Sequence, residues 1–405
     1  MGYLNQLATR IVLLFLLSIT SSPCFPQGEE ANTYERSSIH VMMIKHQNQR
    51  FDDIIEQVFL QTPFPERFNN HNLGVKVVTF AEHKDDQSAN IQSFADQVNL
   101  GQKMVAKWFN RDKQTGSFNM ELIKERGLYN ANQQQTNVAR ASIRGMALLE
   151  DAGELLIHNT YLVVNDIKYQ SKGSGNWLLK SYASMLSGSA NQMQKAMQSI
   201  GGFKVHITTY LFRLRWNDDI ANTFYQNYYT EDGDTDKDKV EAFKKDNQLF
   251  KMEFVGKTEA ESKETHFKAS KDPQALLLKV TTRTMDHNLA SLQQIYPDFR
   301  IKAPLLSVDP LTADVGLKED VTENTRFEVL ERVIDEQGKM SYVQVGLIKP
   351  VKGKIKDNRF MAEEDAESIV EATEFEKISG KDFYPGMLIR EITALLSRLE
   401  IFRPE

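Results

Sequence analysis

The stretch Val138–Tyr169, VARASIRGMALLEDAGELLIHNTYLVVNDIKY, decides the fold. Small and apolar residues fall at Val138, Ala141, Gly145, Leu148, Ala152 and Leu155, in steps of three and four that line one face of a helix. Gly145 and Ala152 let another element approach that face closely. Asn159 stops the helix, and Thr160-Tyr-Leu-Val-Val164 follows, rich in β-branched and aromatic residues. A run that is apolar on both faces belongs in the middle of a sheet, with other elements packed above and below it. This stretch is scaffold and carries no catalytic signature.

Upstream of it, Ile39–Ile44 reads as a strand. Phe51–Leu60 reads as an amphipathic helix with Phe51, Ile54, Ile55 and Phe59 on one side. The loop Thr62–Gly74, with two prolines and three asparagines, is irregular, and Phe64 and Phe68 pin it to the core. Val75–Phe80 is a second strand, Ala89–Phe109 one long helix, Asn110–Gly116 a turn and Met120–Gly127 a short helix. A glutamine-rich link, Asn132–Asn137, leads into the central stretch.

Downstream, a Gly/Ser loop at Ser171–Asn176 precedes a helix from about Trp177 to Ile200. Phe203–Trp216 is the longest strand signal, and Phe250–Thr258 is expected beside it, with the acidic loop between them as a hairpin connection. Pro273–Thr284 and a helix to about Ile295 complete the first unit. The last part changes character. Phe299–Val308 is extended, and strand signals fall at Phe327–Val333, Tyr342–Pro350 and Thr373–Ile378, with glycine turns at Gly338, Gly353 and Gly380. The acidic stretch Glu363–Glu367 reads as a solvated insertion and Gly386–Leu399 as a final helix. Together these predict an α+β fold: a mixed sheet with helices, followed by a small C-terminal SH3-like β-barrel. The expected organisation is a signal peptide at 1–24, a flexible lead at 25–38, an α+β domain at 39–298 and a barrel domain with its C-terminal helix at 299–405.

Residues 1–24 carry one charge, Arg10, then the apolar run Ile11–Ile19, then Thr20-Ser-Ser-Pro-Cys24, the three-part pattern of a secretory signal. No later stretch approaches the ~18 consecutive apolar residues of a membrane-spanning helix, so none is expected in the mature chain. Cys24 is the only cysteine. Either cleavage removes it, or it becomes a lipid-attachment residue at the mature N-terminus. Both readings leave the folded part without a disulfide or a cysteine nucleophile. The net charge is −6, mixed in sign and without a basic stripe, which excludes an electrostatic footprint for nucleic acid.

The loop Glu231–Asp238 puts Asp232, Asp234, Asp236 and Asp238 at alternate positions, as calcium loops do. The helix-loop-helix calcium pattern wants glycine sixth and glutamate twelfth, where this chain has Lys237 and Phe243. A solvated hairpin tip is the simpler expectation for these weak metal candidates. The eight histidines form no His-x-His or His-x3-His pair, and His40, His46, His71 and His158 read as structural. No nucleophile elbow, dinucleotide fingerprint or phosphate loop occurs, so no catalytic residue and no cofactor is expected. Asp218 and Asp219 read as a turn. Tyr225, Tyr228 and Tyr229 read as a partly exposed edge, with sugar stacking as the alternative.

The strings Phe64–Gly74, Lys107–Arg111, Arg126–Ala131, Asp151–Glu154 with Asn159–Tyr161, and Lys356–Arg359 resemble a family of uncharacterised exported proteins of Bacteroidota-type Gram-negative bacteria. This resemblance implies no active site. The order of elements, with Asp314–Glu319 ahead of a strand pair, is similar in architecture to the periplasmic domains of curli-secretion-type lipoproteins and flagellar assembly T proteins. The function expected is that of a non-enzymatic cell-envelope component that binds other envelope proteins. Its expected place is the periplasm, the periplasmic face of the outer membrane or the cell surface. The alternative is a secreted hydrolase or glycan-binding protein working through carboxylates dispersed in sequence.

Overall fold

The computed structural model describes residues 36–46, 52–80, 86–130, 156–171, 203–233, 235–262, 273–300, 302–334, 340–362 and 370–392. The signal stretch, Cys24, most of the helical half of Val138–Leu156, the helix at Trp177–Ile200 and the insertion Glu363–Glu367 lie outside them. The chain divides into two compact units, Met1–Thr33 with Arg332–Val343, and Tyr34–Glu331 with Gln344–Glu405. The sheet, its helices and the site described below belong to the second.

β4 (Thr160–Ser171) is the middle of a six-stranded mixed sheet. It runs parallel to β1 (Ser38–Lys45), with Val41 opposite Val163, and antiparallel to β5 (Phe203–Leu214), with Val164 opposite Tyr210. β6 (Met252–Glu261) adds antiparallel to β5, while the short β2 (Asn69–Asn70) and β3 (Val77–Thr79) both pair with the outer edge of β1. Residues 160 to 167 of β4 are all buried, as a strand covered on both faces requires.

The two faces carry separate cores. Met42, Ile44, Leu162, Val164, Tyr210 and Phe212 point to one face, under α2 (Ser88–Gln97) and α3 (Leu100–Trp108). Val41, Met43, Val163, Ile167, Ile207 and Leu211 point to the other, against α1 (Asp52–Gln61) and the long α7 (Pro273–Ile295). α7 is keyed to the sheet by a buried polar chain. Asn288 Nδ2 donates to Ile207 O and to Thr209 Oγ1, both at 2.9 Å, and Thr209 Oγ1 donates to Asn165 Oδ1 at 2.8 Å.

Four expectations are corrected. The single long helix at Ala89–Phe109 is two helices, because the chain reverses at Asn99, which takes a left-handed φ of 52° that continues neither helix. The connection from β5 to β6 is not a hairpin turn: it holds α5 (Asp218–Asn227) and α6 (Lys237–Lys245), with α4 (Glu121–Asn130) earlier in the chain. Asp218 and Asp219 are therefore no turn but the first turn of α5, where carboxylates suit the helix dipole, and the Asn217 side chain caps it by accepting from Ile220 N–H. Where a helix is expected at Gly386–Leu399, residues Leu388–Ile392 form a strand, β12, since Leu388 and Ile389 complete a sheet edge that would otherwise lie unpaired, and residues 393–399 lie outside the described residues.

The C-terminal part is the small barrel the sequence predicts. β7 (Ala303–Val308), β8 (Leu311–Ala313), β9 (Arg326–Ile334), β10 (Met340–Pro350), β11 (Thr373–Gly380) and β12 close in the order β10-β11-β8-β7-β12-β9. Leu305, Ala313, Val329, Ile348, Phe375 and Ile389 fill it. Asp314–Glu319 and Lys356–Arg359 meet here. Lys318 N–H donates to Asn358 Oδ1 at 2.9 Å, and Glu319 accepts from Asn358 Nδ2 at 2.8 Å while pairing with Arg67 at 2.7 Å.

Candidate functional site

On its outer edge β1 is paired by β2 at Ser38 and Ile39 and by β3 from Met43 to Lys45. His40, Val41 and Met42 have no strand partner on that edge. Residues 71–76 span the gap, tied at their ends by His71 N–H to Ile39 O (2.9 Å) and Met43 N–H to Lys76 O (2.8 Å). Beside this gap lies an open cavity of about 110 Å³. Its apolar walls come from β1 and β4 (Val41, Val163), the end of α1 and the loop after it (Phe59, Phe64) and α7 (Met285, Leu289).

The polar lining residues are His40, Thr62, Asn70, Asn72, Asn165, Thr282 and Asp286, with Lys76 exposed. His40 is 1 % exposed. Leu73 N–H lies 3.4 Å from its Nδ1, and its Nε2 has no hydrogen-bond partner in the protein. Burial, helped by the charge of Lys107, pushes its pKa down to about 4, so it is a neutral imidazole at ordinary pH. Thr282 and Asp286 stand one turn apart on α7, 3 % and 9 % exposed, and Thr282 Oγ1 and Asp286 Oδ2 are likewise buried without partners. Burial pushes the Asp286 carboxyl up to about 6; Lys318, 3.8 Å from Oδ1, and Arg283 pull it down, while Glu319 and Asp320 push it further up. Asn165 accepts from Thr209 Oγ1 and donates, at 3.4 Å, to Met42 O. Buried polar atoms are normally paired, and on the α7 wall of this cavity Thr282 Oγ1 and Asp286 Oδ2 are not. The α7 wall offers one carboxyl group and one hydroxyl among apolar groups, which can hold a polar head by hydrogen bonds.

The residues singled out in the sequence fall elsewhere. Asp236 caps α6 by accepting from Asp238 N–H and Lys239 N–H, and Asp232 accepts from Ser117 Oγ; Asp238 is exposed in the first turn of α6, and Asp234 lies outside the described residues. Among the described residues no three His, Cys, Asp or Glu side chains are grouped to hold a metal ion. His46 Nε2 lies 2.6 Å from Asp166 Oδ1. His158 donates from Nδ1 to Trp216 O at 2.9 Å, and His71 is buried between Met104 O and Arg126. Tyr225, Tyr228 and Tyr229 are partly exposed and pack on the aromatic core around Phe109, Phe224 and Phe250. Sequence reasoning missed Thr282, Asp286 and Asn165. The available signal was the pair of polar residues four apart on the helix face that also carries Met285 and Leu289.

No protein-family model matches the chain, and no curated protein matches it significantly. Among the described residues no helix is long and apolar enough to cross a membrane.

Proposed function

We propose that the protein is an exported component of the cell envelope that acts by binding, with the cavity at the outer edge of β1 as its small-ligand site and other envelope proteins as its partners. The observation that supports binding over catalysis is the composition of the cavity wall. Among its lining residues Asp286 is the single carboxylate, whereas glycoside hydrolysis of the usual kind needs two flanking the bond. No serine or cysteine is among the lining residues to serve as a nucleophile. Export rests on residues 1–24, with the periplasm or the periplasmic face of the outer membrane as the destination and Cys24 as the lipid-attachment point if cleavage falls just before it.

The test is purification from the native host's envelope, with native mass spectra taken before and after denaturation and the N-terminal peptide weighed from the same sample. The expected result is an envelope fraction, a chain starting at or just after Cys24, and a small molecule released on unfolding. An intracellular chain retaining residues 1–24 overturns the export assignment. Turnover of a glycan or ester substrate by the purified protein overturns the binding role.

A further inference from the structure

We infer that the cavity takes a small neutral alcohol, its hydroxyl lodged between Thr282 Oγ1 and Asp286 Oδ2 on α7 and its apolar body against Val41, Phe59, Met285 and Leu289. The inference rests on the cavity being a ligand site and specifies what that site recognises.

Three observations carry it. The first is the pair of unpartnered atoms. Thr282 and Asp286 line the cavity from α7, 3 % and 9 % exposed, and neither Thr282 Oγ1 nor Asp286 Oδ2 has a hydrogen-bond partner in the protein. A buried helical threonine can turn its hydroxyl back to the carbonyl four residues earlier, as Thr284 does to Val280 O at 2.8 Å; Thr282 does not. Residues four apart on a helix hold their Cβ atoms about 6 Å apart, so one oxygen between these two side chains lies within hydrogen-bond reach of both. With an alcohol there, the donors and acceptors close into a chain. Thr282 O–H donates to the ligand oxygen, and the ligand O–H donates to the Asp286 carboxylate. An ammonium brings only donors and leaves the threonine hydrogen without an acceptor, and an ether brings no donor for Asp286.

The second observation is charge. Lys318 already stands 3.8 Å from Asp286 Oδ1, and Arg283 acts on the same carboxyl. The neighbouring acids are engaged elsewhere, Glu319 by Arg67 and Asp320 by His287, each at 2.7 Å. A cationic head would add to Lys318 and Arg283 around one carboxylate and to Lys76 on the lining, while an anionic head would meet the carboxylate itself. A neutral hydroxyl avoids both costs. The third observation is size. A cavity of about 150 Å³ lined by apolar side chains holds benzene, so about 110 Å³ with an open mouth fits a body of roughly four or five carbons.

Isobutanol, isobutylamine and isobutyl methyl ether share one apolar body and differ in the head group. Each is titrated into the protein at pH 7.5, where Asp286 is ionised, following the Met285 methyl by NMR. The expected result is millimolar binding of isobutanol, at least about tenfold tighter than the amine or the ether. Thr282→Val keeps the shape and removes only the unpaired hydroxyl. It is expected to weaken isobutanol about tenfold while leaving the fold intact by circular dichroism. Unchanged affinity of that folded variant for isobutanol overturns the alcohol assignment. So does an amine that binds the wild type more tightly than the alcohol, or an ether that binds as well. Each of these results leaves the cavity standing as a ligand site. Absence of shifts at Met285 with all three probes at tens of millimolar overturns both.

Discussion

The Arg126 guanidinium lies 4.2 Å from the centre of the Trp108 ring. It is 7 % exposed and donates to Ser38 Oγ and His71 Nδ1, each at 2.9 Å. His71 in turn donates from Nε2 to Met104 O at 3.0 Å, and Trp108 Nε1 donates to Thr160 Oγ1 at 2.8 Å. One cation thus ties α4 to α3 and to the starts of β1 and β4. Arg126→Ala leaves buried donors and acceptors without partners and is expected to lower stability by about 3–5 kcal/mol in urea denaturation. Arg126→Lys keeps the charge but loses the planar fork and its stacking, so it should recover less than half of that.

Phe224 is the centre of the aromatic core between α5 and the sheet. Its ring lies 4.4 Å from Phe109 and 5.2 Å from Phe118, and it is fully buried. Phe224→Ala should cost about 3–5 kcal/mol, because nothing around it can collapse into the space without breaking those contacts. Asn217→Ala removes only the cap of the same helix and should cost about 1 kcal/mol. Equal losses from the two variants would contradict this placement of the core.

Two buried acids and two buried histidines set opposing pH terms. Burial raises Asp286 from 3.8 to about 6 and Glu391 from 4.5 to about 7, so the native state holds protons the unfolded chain has released. Their contribution is complete below about pH 4 and is lost as pH rises through 6 and 7. His40, lowered from 6.5 to about 4, and His71, also held low by burial, contribute above pH 6.5 and lose it as pH falls. The wild-type curve should therefore be shallow from pH 8 to 5. Relative to Glu391→Gln, the wild type should gain on the order of 2 kcal/mol over that descent, and relative to His40→Asn it should lose a similar amount. Denaturation midpoints of the three proteins at matched pH test both signs.

Gly101 is fixed by close approach and not by backbone conformation. A Cβ there would stand 2.5 Å from the Phe250 carbonyl oxygen, a main-chain atom that cannot swing aside. Gly101→Ala should destabilise by about 1–3 kcal/mol although alanine is the better helix former. A neutral or stabilising result in thermal melts would show that α3 can shift away from the segment before β6.

Asp314–Glu319 and Lys356–Arg359 lie some forty residues apart in the chain, and the barrel brings them together. Leu317 N–H donates to Lys356 O at 3.0 Å, and Lys356 Nζ pairs with Asp314 at 2.6 Å. Local pattern flagged both strings without showing that they touch.

What the sequence determined by itself is what depends on neighbours two to four residues apart. β4 was legible because apolar residues run continuously through Tyr161–Val164, β5 because Phe203–Leu214 is long and rich in β-branched and aromatic residues, and α1 because Ile54, Ile55 and Phe59 share one helix face. The small barrel was legible from short alternating runs parted by glycine turns. Tertiary structure alone decided the rest. Leu388–Ile392 carries apolar residues compatible with a helix, yet it is a strand because β7 and β9 present unpaired edges on both sides of it. The cavity could not be read at all. His40 and Asp286 are far apart in the chain, and neither is unusual for its element. α7 sets Asp286 and Thr282 on the same space as Val41 and Val163 because β2 and β3 leave a gap along β1 and α7 lies across the face to which Val41 and Val163 point, and burial there removes the water that would otherwise satisfy the two polar groups.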